Sequence, residues 1–155
     1  MLKPVRKAEP PKSGGRFAIV ASRYNAEYVD AMVRAAQNVF KSAEAKVRVV
    51  RVPGAFEIPA VASKLASKEP RLSGIVCLGV IFQGQTSHAQ HIGWGVTHAL
   101  AQIQVLHRLP VIHGVFVFEK EKHAKVRCLG LKHNRGSEAA QTALEMARTM
   151  AGLGR

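Results

Sequence analysis

His88 is the residue best suited to chemistry in this chain, because of what precedes it. The turn residues Phe82, Gln83, Gly84, Gln85, Thr86 and Ser87 stand before it, and the apolar run Gly74 to Val80 before them. A buried parallel strand that enters a helix through a glycine-containing turn is an anion cradle. The first helical N–H groups have no partner within the helix and carry the positive end of its dipole. Gly84 lets the backbone approach a ligand, and Thr86 and Ser87 can cap the helix or donate hydroxyls. An imidazole at the rim of such a cradle can move protons near neutral pH. Phosphate cradle and proton carrier together predict an enzyme acting on a small phosphorylated molecule.

Other readings of the same residues compete. His88 and His91 are spaced i, i+3 and could face a metal, with His98 or His113 as a third ligand. No cysteine or carboxylate completes that set. His88 could also cap its helix and do no chemistry. The basic run Arg127, Lys132, His133, Asn134, Arg135 reads either as a solvated turn or as a second phosphate contact, since guanidinium suits bidentate oxyanion recognition.

The elements that must hold these residues alternate. Residues 17–21 form an apolar strand, and Asn25 can cap a helix whose apolar positions Val29, Met32, Val33, Ala36, Val39 and Phe40 follow the 3.6-residue period. A strand over 47–52 turns at Pro53-Gly54 into a helix over about 56–67. The third strand, 74–80, leads to a third helix, 88–107. A fourth strand over 111–118 follows, then a short helix near 120–128 and a last one over 137–150. Four apolar strands with helical crossovers predict a parallel sheet covered on both faces, a three-layer α/β/α sandwich. Ligands of such sheets lie outside the carboxyl ends of the strands. That places Ser22 to Asn25, Pro53 to Glu57, Val80 to His88, Val117 and Phe118 at the site. Tyr24 or Phe56 can stack on a planar ring or simply pack, and Glu57 can accept from hydroxyls or sit near a helix N-terminus for the dipole alone.

Composition narrows the class. The chain has 155 residues, 47% of them apolar, enough for one domain with a core. No apolar run reaches 18 residues, so no membrane span is expected. Residues 1–15 hold Lys3, Arg6, Lys7 and Lys12 against Glu9, with Pro4, Pro10, Pro11, Gly14 and Gly15. They read as a flexible basic N-terminal arm without the apolar centre of a signal peptide, ahead of a single domain over 16–155. Two cysteines, Cys77 and Cys128, suit a reducing cytoplasm. The net charge of +13 attracts polyanions without naming one, and 6% aromatics with no nucleic-acid motif gives no ground for specific nucleic-acid binding. Residues 88–107 carry no Asp, Glu, Lys or Arg. A helix without a charged face is expected to be covered by protein on nearly all sides, one side by the sheet and another by a second copy of the chain.

At this point the residues resemble a family. Tyr24-Asn25, the block Val52-Pro53-Gly54-Ala55-Phe56-Glu57-Ile58-Pro59, the block Gly79 to His88, Pro110 to Val115, and Ala139 to Ala147 are similar to lumazine synthases in order and spacing. The resemblance implies a four-stranded parallel sheet in flavodoxin-like winding, assembled into pentamers, or in some members twelve pentamers as an icosahedral shell. It implies condensation of 5-amino-6-(D-ribitylamino)uracil with 3,4-dihydroxy-2-butanone 4-phosphate in riboflavin synthesis. No metal or organic cofactor is implied, and riboflavin synthase is the implied partner. Carried over, Tyr24 stacks on the pyrimidine and Asn25 adjoins it. Ala55, Phe56 and Glu57 line the ribityl side, and Val80, Ile81 and Phe82 offer backbone groups to the uracil edge. Gln85, Thr86 and Arg127 bind phosphate, and His88 carries protons. His113 and Arg135 come from the adjacent subunit. The chain departs from the family where Tyr24 and His113 stand for Phe, Gln83 for Arg, Gln85 for Glu, Ala or Ser, and Lys132 to Gly136 for a glycine-rich turn. A non-catalytic, ligand-binding or shell-forming member of the same fold is the alternative.

Overall fold

A computed structural model describes residues 14–154. The arm read from the sequence lies outside the described residues up to position 13. Its last two residues, Gly14 and Gly15, join the fold: Gly14 donates to the carbonyl of Ala43, and Gly15 accepts from Lys46 N–H at 2.9 Å.

The elements run β1 (Arg16–Ser22), α1 (Ala26–Ser42), β2 (Lys46–Val52), α2 (Ile58–Lys68), β3 (Gly74–Phe82), α3 (His88–His107), β4 (Val111–Phe118), α4 (Glu121–Ala124) and α5 (Arg135–Gly152). All four strands are parallel, in the order β2-β1-β3-β4. Each strand alternates its side chains between two helical layers. Phe17, Ile19, Ala21, Val76, Leu78, Val80 and Ile112 pack under α1 and α5. Ala18, Val20, Ile75, Cys77, Val111 and Val115 pack under α2 and α3. The result is the three-layer α/β/α sandwich in flavodoxin-like strand order. The chain leaves β1 for β2 on one side and returns past β1 to β3 on the other. The order therefore reverses between β1 and β3, where open parallel sheets form their ligand crevice.

Several boundaries differ from the sequence reading, each for a local reason. β3 runs on to Phe82 because residues 79–82 pair with 115–118 of β4. The Pro53-Gly54 turn does not enter an α-helix directly. Ala55–Glu57 forms one 3₁₀ turn, and α2 begins at Ile58, with Pro59 in its first turn. The helix near 120–128 is a single α turn over Glu121–Ala124 that widens into a π turn over Lys125–Leu129. The last helix starts at Arg135, two residues early. The buried Asn134 caps it, accepting from Gly136 and Ser137 N–H at 2.8 and 3.4 Å and donating to Cys128 O at 2.6 Å. The run 127–135 is thus not simply a solvated loop. Its asparagine is a buried cap and its last arginine is helical.

α5 lies tightly on α1 at Gly136. A Cβ there would stand 2.0 Å from the Met32 carbonyl oxygen. Gly136→Ala should therefore cost more than about 3 kcal/mol, because two backbones would have to part. Gly84 has nothing within 4 Å of its Cβ position. Gly84→Ala should stay within about 0.5 kcal/mol. Urea denaturation of the two variants beside the parent checks the contrast, and equal stabilities would refute the close approach.

Candidate functional site

The carboxyl ends of β1, β2 and β3 meet around the crevice, and the backbone of each strand end is tied to a neighbour. Arg23 and Tyr24 donate their N–H groups to the Pro53 carbonyl, both at 3.0 Å, joining the loop after β1 to the loop after β2. Asn25 was expected to cap α1, and it does not. It adopts a left-handed conformation, φ 58°, which asparagine tolerates better than most residues, and its Nδ2 donates to Val80 O at 2.7 Å. That bond crosses from β1 to β3 at the reversal point. Tyr24 is exposed, with one ring edge over Gly54, where a Cβ would approach it to 3.0 Å. Glu57 Oε2 accepts from Gly54 N–H at 3.0 Å, so this carboxylate holds the turn after β2 in shape. Phe56 is exposed and lies against Gly95 of α3. Ala55 sits close to Gly79, and Ser22 Oγ, fully buried, lies on the same side.

The backbone of β3 beyond Leu78 offers groups on one side only. Pairing with β1 ends at Ala21 opposite Leu78, while pairing with β4 continues to Phe82. Ile75 and Gln83 N–H donate toward β4, and Val80 O accepts from Asn25 on the β1 side. Backbone direction alternates along a strand. Val80 and Phe82 therefore face the crevice, and Ile81 faces β4. Of the three residues that the resemblance expects to offer backbone groups, Ile81 is directed toward β4, and the Val80 carbonyl already accepts from Asn25.

The turn into α3 is shaped by side chains. Gln83 Nε2 donates to Thr86 O at 2.8 Å and to Gly84 O at 3.4 Å, closing the loop on itself. Neither expected cap forms a short bond. Thr86 Oγ1 accepts from His88 N–H at 3.4 Å, while Ser87 Oγ lies 3.1 Å from His91 Nε2. Gln85, Thr86, Ser87 and His88 are exposed. Among the described residues no three His, Cys, Asp or Glu side chains converge to hold a metal. The i, i+3 spacing of His88 and His91 is thus not completed within one chain. Two glycines fit α3 to the rest. A Cβ at Gly93 would meet Val117 of β4 at 2.9 Å, and one at Gly95 would meet Phe56 at 3.4 Å.

A profile of the 6,7-dimethyl-8-ribityllumazine synthase family matches residues 14–151. A 6,7-dimethyl-8-ribityllumazine synthase of Stenotrophomonas maltophilia (strain R551-3) is 38% identical over 138 residues, 87% of this chain and 88% of its own. One of Xanthomonas oryzae pv. oryzae (strain PXO99A) is 35% identical over 144 residues, 91% and 92% of the two chains. The chain belongs to the lumazine synthase family. No helix among the described residues is long and apolar enough to cross a membrane.

Not every residue that the family resemblance assigns stands with the others in one chain. His113 is opposite Cys77, five residues before the paired ends Phe82 and Phe118, so it lies about 16 Å back along the strand. Arg135 opens α5 in the opposite helical layer, paired with Glu138 and placed over the Phe116 ring at 5.8 Å. Arg127, half-buried, is on the π turn after α4. That turn is anchored through α4, where Tyr28 donates to Glu121 Oε1 at 2.6 Å. The bond pushes the Tyr28 hydroxyl up to about 12 and holds the Glu121 carboxyl below its ordinary value. Sequence reading passed over Thr97, whose signal was only a hydroxyl inside a helix, and did not foresee that the Gln83 amide closes its own turn.

His113 is locked by its neighbours. Nδ1 accepts from Val115 N–H at 3.2 Å, so in the neutral ring Nε2 carries the proton and points it at Thr97 Oγ1, 2.7 Å away. The Thr97 hydroxyl in turn donates to Gly93 O at 2.8 Å. One side of the ring faces solvent, but burial of the other holds its pKa below the ordinary imidazole value. The unfolded chain therefore binds the proton first, at about 6.5. Stability should fall as pH drops through that value toward the folded pKa. His113→Phe should flatten the loss of melting temperature between about pH 7.5 and 5.5. An unchanged slope would show that His113 titrates as it does in the unfolded chain.

Proposed function

We propose that this chain condenses 5-amino-6-(D-ribitylamino)uracil with 3,4-dihydroxy-2-butanone 4-phosphate to 6,7-dimethyl-8-ribityllumazine, with loss of phosphate and water. The observation that carries the reading is the family match over 14–151, on a chain whose strand order reverses between β1 and β3 beside the turn that leads into His88. Tyr24, free on one face, stacks on the pyrimidine. Val80 N–H and the Phe82 backbone meet its edge. Asn25 serves as the brace that fixes both. Ala55, Phe56 and Glu57 line the ribityl side; Glu57 spends one oxygen on Gly54 and keeps Oε1 for a hydroxyl. Gln85, Thr86 and Arg127 take the phosphate. Holding both reactants makes the first step nearly unimolecular. The 5-amino group attacks the ketone with loss of water, phosphate is eliminated, and the ribitylamino nitrogen closes the ring on the remaining carbonyl with loss of a second water. His88 moves the protons these steps release and consume.

The assembly reading follows from α3. Trp94, Val105 and Leu106 are 70%, 77% and 76% exposed on a helix without a formal charge. Such a face is suited to burial against a second copy. A neighbour would also bring its His113 and Arg135 to a crevice that one chain leaves without them. The homopentamer is the form this reading takes, with riboflavin synthase as the consumer of the product and the cytoplasm as the compartment. Light scattering at micromolar concentration should give five chains or a multiple of five, and a monomer would refute it. The alternative, a non-catalytic shell-forming member, draws on Gln83, whose amide is spent on closing its own turn.

Turnover of the two substrates without added metal separates these readings. In the active protein Arg127→Ala and His88→Ala should fail differently. Losing a charge-assisted hydrogen bond of about 1.5–3 kcal/mol should lower kcat/KM roughly 10- to 150-fold, chiefly through KM for the butanone phosphate. His88→Ala should lower kcat, by about 100-fold where proton transfer limits the rate. Equal KM effects on both substrates in Arg127→Ala, with kcat untouched in His88→Ala, would show both roles wrongly assigned.

A further inference from the structure

The opposite end of the sheet holds a second concavity, about 420 Å³, walled by Arg16, Lys46, Arg48, Lys68, Glu69 and Arg71. Arg16 opens β1, Lys46 opens β2, and the two are register partners on adjacent strands. Like charges placed directly across a sheet repel. Two of the five cations have local compensation. Arg48 pairs with Glu69 at 2.9 Å, and Lys68 ends α2, where the helix dipole favours a cation. Arg16, Lys46 and Arg71 have no ion pair among the described residues.

We propose that this concavity binds a short polyphosphate chain: two or three linked phosphoryl groups, alone or on a nucleoside. Three uncompensated cations call for an anion of several charges, and two of them are guanidinium groups suited to bidentate phosphate contacts. The volume lies within the range of small-ligand sites and exceeds what one phosphate would fill. Val47 and Leu72 add apolar wall, which a nucleoside would use and an inorganic chain would not. The site is at the amino ends of the strands, so it is separate from the carboxyl-edge crevice and does not depend on the reading of that crevice.

Calorimetric titration of the full chain at physiological salt tests this, with tripolyphosphate, ATP, orthophosphate and a 20-nucleotide RNA as probes. Tripolyphosphate and ATP should bind at least tenfold tighter than orthophosphate, and ATP the tighter of the two if the apolar wall is used. The Lys46→Gln/Arg71→Gln double variant should lose roughly tenfold in affinity for both. It should keep the parent's synthase turnover, and without ligand its melting temperature should not fall, since repulsion has been removed. A parent synthase rate with unchanged tripolyphosphate affinity in that variant would overturn the proposal. So would orthophosphate binding as tightly as tripolyphosphate. RNA binding tighter than ATP, lost in the same variant, would replace it with a nucleic-acid surface.

Discussion

The hydrogen bond from Asn25 Nδ2 to Val80 O fixes the geometry on which the rest of the carboxyl edge depends. β1 and β3 stop pairing at Ala21 and Leu78, and past that point nothing in the sheet ladder holds the two strands together. Asn25 replaces the ladder with a side chain. Its left-handed backbone turns the chain sharply into α1. The turn leaves Tyr24 on the outside of the corner, against Gly54. The neighbouring N–H groups of Arg23 and Tyr24 reach Pro53 O in the same corner. One residue therefore bridges the two strand ends with its side chain and turns the chain into α1 with its backbone. Alanine would lose both the bond and the tolerance for that backbone region, and aspartate would keep the shape but offer no donor.

The other wall of the crevice is a matter of close approach. α3 comes near enough to β4 at Gly93, and to Phe56 at Gly95, that a methyl group on either would press on its neighbour. Glycine inside a helix costs roughly 1 kcal/mol relative to alanine. Here that cost brings the first two turns of α3, with His88 and the cradle, over the sheet and against the 3₁₀ turn that carries Phe56 and Glu57. The Thr97 hydroxyl bonded to Gly93 O extends the same contact to His113 on β4. The cradle and His113 are thus fixed by one helix, although they face different directions.

Much of this was legible in the sequence, and the losses have physical causes. Apolar runs and the 3.6-residue helix period were enough to place the sheet and the helices that cover it. Helix starts were read less well, because Ser, Thr and Asn hydroxyls and amides have several uses. Asn25 and Ser87 both stand at helix starts, yet one reaches another strand and the other an imidazole. Asn134, in a run that read as a basic loop, is the one that caps. Local sequence names the group able to bond, and tertiary geometry decides the partner. The direction of Ile81's backbone could not be read at all, since it depends on which strand pairs on which side.

Charge is arranged differently at the two ends of the sheet. At the carboxyl edge most of the binding capacity is neutral: helix N–H groups, hydroxyls and backbone. Arg127 is the cation proposed there, and the Gln83 amide closes its own turn. At the amino edge the binding capacity is formal charge, gathered from β1, β2 and the end of α2. A neutral cradle discriminates by shape and can release a phosphate product readily. A cluster of fixed cations holds multivalent anions with less regard for shape, and its hold weakens as salt rises. The excess positive charge of this chain is therefore not spread evenly around one anionic substrate. Part of it is concentrated at the amino ends of the strands, where Arg16 and Lys46 are register partners on adjacent strands. The anion proposed for that end would neutralise Arg16, Lys46 and Arg71, which have no ion pair among the described residues.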